Sequence, residues 1–277
     1  PPASRASRSR ASSTRSARPA CSSNRGNGGY ERGFHGGSPR EYIGSVMLDL
    51  LQGLSRRLPS QCAVCHHWPS HTLCEDCVAA LAQPVPRCTR CALPVPEGVP
   101  VCGACLLHPA PLDACWCAVD YTYPWSDLIA QFKFQGAVDL ARPLAQLLRA
   151  ANGVDAALDQ ADALIPLPLA PARLRSRGYN QALELARALD ANKMDTTLLL
   201  RTQDGPPQHG LPRHERLHAV AHVFAVEPLQ TQRVRNRHLV LVDDVMTTGA
   251  SLYAAARALR QAGAARVTAL VLARTPP

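Results

Sequence analysis

Two adjacent carboxylates near the C-terminus stand where a sugar or a metal ion could be held. Asp243 and Asp244 follow the apolar, β-branched run of residues 238–242, which predicts a buried strand ending just before these acids. Carboxylate oxygens accept hydrogen bonds from vicinal hydroxyls and are ligands for Mg²⁺. The pair therefore predicts a site for a diol or for a magnesium-bound ligand at the end of a strand.

A turn rich in hydroxyl groups follows the acids and precedes a predicted helix over residues 251–261. The free N–H groups at a helix N-terminus carry partial positive charge and favour a phosphate. A glycine in the turn allows the backbone to approach the ligand closely. Together with the acids, the turn predicts recognition of a ribose 5-phosphate. Its residues are Val245, Met246, Thr247, Thr248, Gly249, Ala250 and Ser251.

Two other classes of protein also end a strand with acids. A Walker B strand needs an accompanying GxxxxGK[ST] loop, which this sequence lacks. A receiver domain carries its acids after a first strand with a long α/β domain behind it, whereas only one helix and one strand follow here. A purely structural turn with a threonine cap remains as the third alternative.

The string over residues 240–251 resembles the phosphoribosyl pyrophosphate (PRPP) signature of type I phosphoribosyltransferases, and further segments resemble the ComF family. The resemblance spans about residues 46–274 and includes the cysteine-rich segment described below. In place of the family's usual asparagine the chain has Ala219, so a role of that side chain in closing the site does not carry over. The matching positions are 133–136 (KFQG), 165–169 (IPLPL), 177–181 (RGYNQ), Arg201, Gln208, Leu211, Arg216 and Phe224.

The resemblance implies a type I phosphoribosyltransferase fold, with Asp243 and Asp244 on the ribose hydroxyls and residues 245–251 around the 5-phosphate. Magnesium would accompany the PRPP. The loop that follows the IPLPL strand would face the pyrophosphate, with nearby arginines or a lysine as cationic partners. On this pyrophosphate side the resemblance implies Leu167, Arg173, Arg177 and Lys133.

Eight cysteines between residues 62 and 105 form four CxxC pairs. A CxxC turn directs two thiolates at one tetrahedral centre, so two pairs complete a Cys₄ zinc site and four pairs predict two zinc ions. Because thiolates fill every position, both ions are expected to be structural. The pairs are Cys62/Cys65, Cys74/Cys77, Cys88/Cys91 and Cys102/Cys105.

The order in which the pairs combine stays open. We expect sequential pairing, first with second and third with fourth, because each half is then self-contained, as in a double zinc ribbon. An interleaved cross-brace is one alternative, and structural disulfides are another. Four histidines nearby could replace a thiolate, but eight cysteines suffice, so we expect exposed imidazoles at His66, His67, His71 and His108.

The sequence divides into four parts. Residues 1–40 are rich in Ser, Arg and Gly and predict a disordered basic tail. Residues 41–60 contain one amphipathic helix, residues 61–110 the double zinc ribbon, and residues 111–277 a phosphoribosyltransferase-like domain. Within the last part we interpret residues 203–222 as a mobile excursion over the site.

Alternating strand and helix patterns in the last part predict βαβ units, and therefore a parallel sheet flanked by helices in an α/β fold. Two further cysteines, Cys115 and Cys117, fall in a strand pattern and are expected to be core thiols. The predicted strands are 114–123, 163–167, 197–201, 238–242 and 267–272, and the predicted helices are 126–134, 138–151, 180–189 and 251–261.

The net charge of +9 resembles the charge of a nucleic-acid-binding protein, but its distribution does not. Residues 1–40 contain eight arginines and one glutamate, so the remainder of the chain is nearly neutral. Tight autonomous binding of nucleic acid is therefore not expected from the folded part. No apolar run reaches the roughly 18–20 residues of a membrane span, and no secretory signal is visible. Paired cysteines favour a reducing compartment, so we expect a cytoplasmic protein.

Two functions fit these features. In the first, PRPP binds with Mg²⁺, pyrophosphate leaves, and a nitrogen nucleophile of unknown identity attacks the anomeric carbon. In the second, the chain is a non-catalytic sensor of PRPP or a nucleotide within a single-strand DNA import machine, because ComF-like proteins are associated with DNA uptake. Single-stranded DNA or a competence helicase would then be the partner.

The basic tail leads to a first prediction. Three readings of residues 1–40 stay open: a nucleic-acid-binding arm, an extension foreign to the native protein, and an Arg/Ser-rich transit peptide. In each case the segment has no apolar face that could pack on the folded part. Deleting residues 1–40 should therefore leave the thermal unfolding midpoint almost unchanged in calorimetry. A decrease of more than a few degrees would show that the tail packs on the folded part.

Overall fold

The computed structural model describes residues 60–202 and 223–276. Several predicted features lie outside the described residues. They are the tail, the amphipathic helix predicted within residues 41–60, and the excursion over residues 203–222, which includes Ala219. The chain separates into two units, one ending at Cys77 and one beginning at Val78. Each unit is described by itself.

The described part of the first unit is a small cysteine-containing module. An antiparallel bridge joins Ser60 to Ser70, and the amide of Ala63 donates to the carbonyl of Thr72 at 2.9 Å. Its cysteine side chains replace an apolar core, because Cys62, Cys74 and Cys77 are its buried residues. Helix α1 (Glu75–Leu81) begins here.

The second unit contains the remaining CxxC pairs and an α/β domain. Its elements are α2 (Gly103–Leu107), β1 (Ala114–Asp120), α3 (Trp125–Phe134), α4 (Ala141–Arg149), α5 (Val154–Gln160), β2 (Ala163–Pro166), α6 (Pro171–Arg177), α7 (Gln181–Asp190), β3 (Leu199–Arg201), β4 (Phe224–Val226), β5 (His238–Met246), α8 (Ala250–Gln261) and β6 (Arg266–Arg274), with 3₁₀ turns at Val138–Leu140 and Pro228–Arg233.

The central sheet has the strand order β1-β6-β5-β2, and every neighbouring pair is parallel. Parallel strands that are covered on both faces have continuous apolar sequences. Strand β2 fits this pattern, because all four of its residues are buried. Strands β3 and β4 form a separate antiparallel pair. This architecture confirms the predicted α/β fold with a parallel sheet flanked by helices and preceded by a cysteine-rich module.

Helices cover the sheet on both faces. Leu239 and Leu241 of β5 share one buried core with Leu252 and Ala255 of α8. Because side chains alternate along a strand, the residues between them face the opposite side, where α4 and α7 pack. Odd-numbered positions up to Asp243 therefore face α8, and even-numbered positions up to Asp244 face the side of α4 and α7, whereas Met246, the last residue of the strand, packs in the core shared with α8.

Three predictions about elements were wrong. Strand β5 was expected to end at Val242 but continues to Met246, paired with β6 throughout. The region predicted as one helix over 138–151 divides into a 3₁₀ turn and α4. Helices α5 and α6 were missed: α6 buries no side chain and therefore shows no apolar period, and α5 has only seven residues, two turns in which to show one. Among the described residues, no helix is long and apolar enough to cross a membrane.

Candidate functional site

The two acids lie inside strand β5 rather than after it. Asp243 is paired with Val271 of β6, and the ladder continues to the pair of Met246 with Arg274. Alternation along the strand places Asp243 on the α8 face and Asp244 on the opposite face. The two carboxylates therefore have different neighbours and different chemistry.

Asp244 forms an ion pair that holds it in place. The Lys133 Nζ atom lies 3.0 Å from Asp244 Oδ1, and the two side chains are only 13% and 10% exposed. Lys133 belongs to the last turn of α3. The resemblance placed this lysine on the pyrophosphate side, whereas the structure pairs it with a carboxylate expected on the ribose hydroxyls. A ligand that hydrogen-bonds to Asp244 would share or displace the lysine.

Asp243 has a strongly perturbed pKa. Burial first, and then the negative charge of Asp244, raise the pKa of Asp243 to about 7, and the cations Lys133 and Arg177 partly oppose this change. Its Oδ1 atom accepts a hydrogen bond from the amide of Asp244 at 2.9 Å. The ionised form is therefore costly in the ligand-free protein, and a cation or a hydroxyl donor next to Asp243 would stabilise it.

The hydroxyl-rich turn and Asp243 line one shallow depression with a volume of about 40 Å³. Helix α8 begins at Ala250, whose amide approaches Thr248 Oγ1 at 3.4 Å. The lining thus combines one carboxylate with the N-terminal end of a twelve-residue helix. It contains Asp243 and residues 245–252, which include every residue predicted for the phosphate turn.

Gly249 is required by the protein itself. Its φ angle is +80°, a conformation that residues with a Cβ rarely adopt. A Cβ atom would lie 2.5 Å from Met246 Cε and 2.7 Å from Tyr253 Cζ. Close approach of a ligand was predicted for this glycine; its conformation and its packing against these side chains require glycine independently of a ligand.

The loop after β2 is fixed by Asn180, which belongs to the matching RGYNQ segment but was given no role in the sequence analysis. The amide of Leu167 donates to the carbonyl of Val242 at 2.9 Å, and the Leu167 carbonyl accepts from Asn180 Nδ2 at 3.1 Å. Asn180 Oδ1 also accepts from the amide of Ala182 and so caps α7. An asparagine directly before a periodic helix was the available signal.

Of the two arginines implied on the pyrophosphate side, Arg177 is the one whose charge reaches the acids. It lies over the Phe134 ring at 4.9 Å, donates to Gln181 Oε1 at 3.0 Å and helps to lower the pKa of Asp243. Arg173 is exposed on α6. Gln181, the last residue of the RGYNQ segment, is buried, and its Nε2 atom has no partner among the described residues, so it offers a donor to which the sequence analysis gave no role.

The eight cysteines form two separate Cys₄ clusters. In each cluster the four sulfur atoms lie within 4.8 Å of one another. The Cys65–Cys74 and Cys91–Cys102 sulfur distances are both 3.7 Å. A tetrahedral zinc with bonds of about 2.3 Å has sulfur–sulfur edges of about 3.8 Å, so both clusters fit zinc. The clusters are Cys62/Cys65/Cys74/Cys77 and Cys88/Cys91/Cys102/Cys105, which confirms sequential pairing.

The alternatives for these cysteines are thereby removed. A cross-brace would mix the pairs, and a disulfide would need sulfur atoms about 2.05 Å apart. All eight thiols are free. The four nearby imidazoles are exposed, as expected, at His66, His67, His71 and His108.

Each cluster contains one thiol that is prepared for deprotonation. Burial would raise the pKa of Cys62, but the backbone N–H groups of Cys65, Cys74 and Val64 lower it to about 6. Cys88 shows the same balance, with a pKa lowered to about 7. Metal ligands must be thiolates, so the backbone already favours the form that zinc binds.

Comparison with known proteins agrees with this architecture. Residues 136–276 match the phosphoribosyl transferase domain family, and residues 54–106 match the double zinc ribbon domain. The DNA utilization protein YhgH of Salmonella typhimurium is 32% identical over 234 residues, which cover 79% of this chain and 98% of the relative. The competence protein F of Haemophilus influenzae is 32% identical over 216 residues, covering 75% and 93%. The competence protein ComFC of Bacillus subtilis is 28% identical over 158 residues, covering 56% and 62%.

A parallel sheet with an acid pair and a hydroxyl-rich turn, together with a double zinc ribbon, defines a protein of the phosphoribosyl transferase domain class. The relatives are named as proteins of competence and DNA utilization. The chain belongs to the ComF family.

The clusters predict two zinc ions per chain. Elemental analysis of protein purified without added metal should give a stoichiometry near two, because each cluster has four converging thiols. Cys102→Ser should reduce the value to about one. The matched control is Cys115→Ser, which changes a buried thiol outside both clusters and should leave two. A value near zero in the wild type would contradict the assignment.

The raised pKa of Asp243 predicts a stability change with a definite sign. In the folded protein the Asp243 carboxyl stays protonated up to about pH 7, whereas the ordinary pKa of an aspartate is 3.8. The free energy of unfolding therefore decreases as the pH rises from about 4 to about 7. Asp243→Asn cannot ionise and keeps an oxygen for the Asp244 amide. We expect its melting temperature at pH 8 to exceed that of the wild type by about 3 °C or more, and the difference to vanish near pH 4.

The control for this measurement is Asp155→Asn, which changes an exposed carboxylate on α5. Its difference from the wild type should stay constant between pH 5 and 8. A lower melting temperature of Asp243→Asn at pH 8 would show that the native protein favours the ionised carboxylate.

Proposed function

We propose that this protein binds PRPP, or a nucleotide with a ribose 5-phosphate, together with Mg²⁺ at the carboxyl end of β5. The observation that carries the proposal is the common depression of Asp243 and the phosphate turn. A carboxylate accepts hydrogen bonds from sugar hydroxyls, and the start of α8 offers N–H donors to a phosphate. These are the two recognition elements that a ribose 5-phosphate requires.

Within this proposal, the protein's own residues bind and position the ligand. Asp243 and Asp244 accept hydrogen bonds from the ribose hydroxyls, and residues 247–251 surround the 5-phosphate. Arg177, with the free amide of Gln181, supplies charge and a donor on the side of the loop after β2. Bound Mg²⁺ would neutralise charge on the pyrophosphate.

The Lys133–Asp244 ion pair gives the site a ligand-dependent rearrangement. In the ligand-free protein the ammonium group neutralises Asp244. When ribose hydroxyls occupy that carboxylate, the lysine can turn to the negative charge of the pyrophosphate, as the family resemblance implies. Ribose hydroxyls that donate to Asp243 would stabilise its ionised carboxylate, so the pKa of Asp243 should fall when the ligand binds.

We propose phosphoribosyl transfer as the reaction. Pyrophosphate departs from the anomeric carbon, and a nitrogen nucleophile attacks through an oxocarbenium-like state. The protein contributes positioning and charge stabilisation, since no step needs a covalent bond to a side chain. The acceptor is not specified by any residue described here.

A second function is favoured by the relatives' names, which refer to competence and DNA utilization. In this alternative the site senses PRPP or a nucleotide without turnover and serves DNA uptake, with single-stranded DNA or a competence helicase as partner. Both functions need the same ligand site, and both fit a cytoplasmic protein, because free clustered thiols persist in a reducing compartment.

Titration calorimetry tests the ligand site. The double change Asp243→Asn, Asp244→Asn should weaken binding of PRPP with Mg²⁺ by roughly a hundredfold or more, because two charge-assisted hydrogen bonds of roughly 1.5–3 kcal/mol each are lost. Asp155→Asn is the matched control and should bind as the wild type does. Absence of binding by the wild type at millimolar PRPP would refute the proposal.

Gly249→Val tests the contribution of the turn independently of the contribution of the two acids. A valine there meets Met246 and Tyr253, so it should weaken binding and also lower the melting temperature. The single change Asp243→Asn should weaken binding without that loss of stability, whereas Asp244→Asn leaves Lys133 without its ion-pair partner. Release of pyrophosphate from PRPP, measured with a panel of bases, then distinguishes a transferase from a sensor.

A further inference from the structure

A buried guanidinium connects the second cysteine cluster to the phosphate turn. Arg274, at the end of β6, is only 5% exposed. Its Nε atom donates to the carbonyl of Cys91 at 3.0 Å. Its Nη1 atom donates to the carbonyls of Met246, at 2.9 Å, and Thr247. The same nitrogen also reaches the carbonyl of Thr275 at 2.8 Å. One side chain thus joins a metal-binding segment to the two residues at which the turn begins.

The charge of Arg274 needs compensation. Burying a cation is costly unless an opposite charge is near, and within the described residues no carboxylate forms an ion pair with it. The register partner of Arg274 on β1, Asp120, forms an ion pair with Arg87. The second cysteine cluster adjoins the guanidinium, because Arg274 Nε donates to the Cys91 carbonyl. Metal in this cluster would supply compensation, because a zinc ion with four thiolates has a net negative charge, which stabilises an adjacent buried cation.

A tyrosine provides a second link between the same two places. The Tyr253 ring packs behind Gly249, 2.7 Å from the position of a would-be Cβ. The cluster, this ring and the turn residues Met246 and Ala250 belong to one buried core.

The orientation of the two carbonyls that accept from Arg274 fixes the direction of the backbone N–H groups in the turn. In a trans peptide unit the C=O and N–H bonds are antiparallel. The Met246 carbonyl shares its peptide unit with the Thr247 amide, and the Thr247 carbonyl shares its unit with the Thr248 amide. Because both carbonyls point at Arg274, both amides point away from it. Thr247 and Thr248 line the depression proposed for the phosphate.

We propose that the Cys88/Cys91/Cys102/Cys105 cluster positions the phosphate turn through Arg274, so that metal in this cluster and a phosphoribosyl ligand strengthen each other's binding. The ligand part rests on the proposed function, whereas the link between the cluster and the turn does not. Arg274 is a positioning residue, since it acts through the backbone of Met246 and Thr247. Thermodynamic linkage requires the effect to be reciprocal.

The first test needs no ligand. Amide hydrogen exchange of the peptide covering residues 245–251 should accelerate roughly tenfold or more in Arg274→Met and in Cys102→Ser. Exchange in β2 serves as an internal reference, because it rises only when the whole domain opens. The matched controls are Arg266→Met, at the other end of β6, and Cys65→Ser, in the other cluster. Both should leave exchange in the turn near the wild-type rate.

A double-mutant cycle distinguishes the bridge from general stabilisation. If the cluster acts through Arg274, combining Cys102→Ser with Arg274→Met should accelerate exchange no further than either change alone. Additive effects would overturn the proposal, as would equal loosening of the turn by Cys65→Ser. Arg274→Lys, which retains the charge but has fewer donors, should restore part of the protection that Arg274→Met loses.

The second test measures reciprocity. Saturating ribose 5-phosphate should slow zinc release from the second cluster to a chromogenic chelator in the wild type, but not in Arg274→Met. An unchanged release rate in a wild type that binds ribose 5-phosphate would overturn the coupling. If the wild type binds neither ribose 5-phosphate nor PRPP, the proposed function fails, while the exchange measurements still decide whether the bridge exists.

Discussion

The hydrogen-bonded ladder between β5 and β6 is the constraint on which the candidate site depends. It continues past the apolar part of both strands to the pair of Met246 with Arg274. This extension places Asp243 and Asp244 at fixed positions on opposite faces of the sheet. It also brings the guanidinium beneath the carbonyls of the turn. A ladder that stopped at Val242 would leave the acids and the turn as a loop, without a defined distance between carboxylate and phosphate site.

That edge of the sheet concentrates charges that are costly to bury. The folded protein raises the pKa of Asp243, neutralises Asp244 with Lys133 and surrounds Arg274 with carbonyls and sulfur atoms. Each arrangement is unfavourable or only just balanced without a ligand or metal. Sites that bind charged ligands commonly accept this loss of stability, because the same groups are then compensated by what they bind.

The parts of this structure that could be predicted from the sequence are those with a local sequence pattern. The CxxC spacing fixed both cysteine clusters, since a tetrahedral site uses thiolates that are close in the chain. The apolar run before Asp243 predicted β5, but two acids inside a buried strand break the apolar pattern, so its end was placed too early. The ion pair of Lys133 with Asp244 joins residues 111 positions apart and has no local signal. Likewise, Gly249 was correctly expected in the turn, but Met246 and Tyr253, which require it, become neighbours only in the folded chain.

The strand order has a consequence for how the protein is made. Among the described strands of the sheet, β1 pairs with β6 and β2 with β5, so both early strands form their ladders with partners near the end of the chain. The cysteine clusters, in contrast, close within short segments and can take up metal while synthesis continues. Cys91 precedes its partner Arg274 by 183 positions. The growing chain therefore presents a finished metal module beside two apolar strands with open edges, a state in which premature release or stalled translation would favour aggregation.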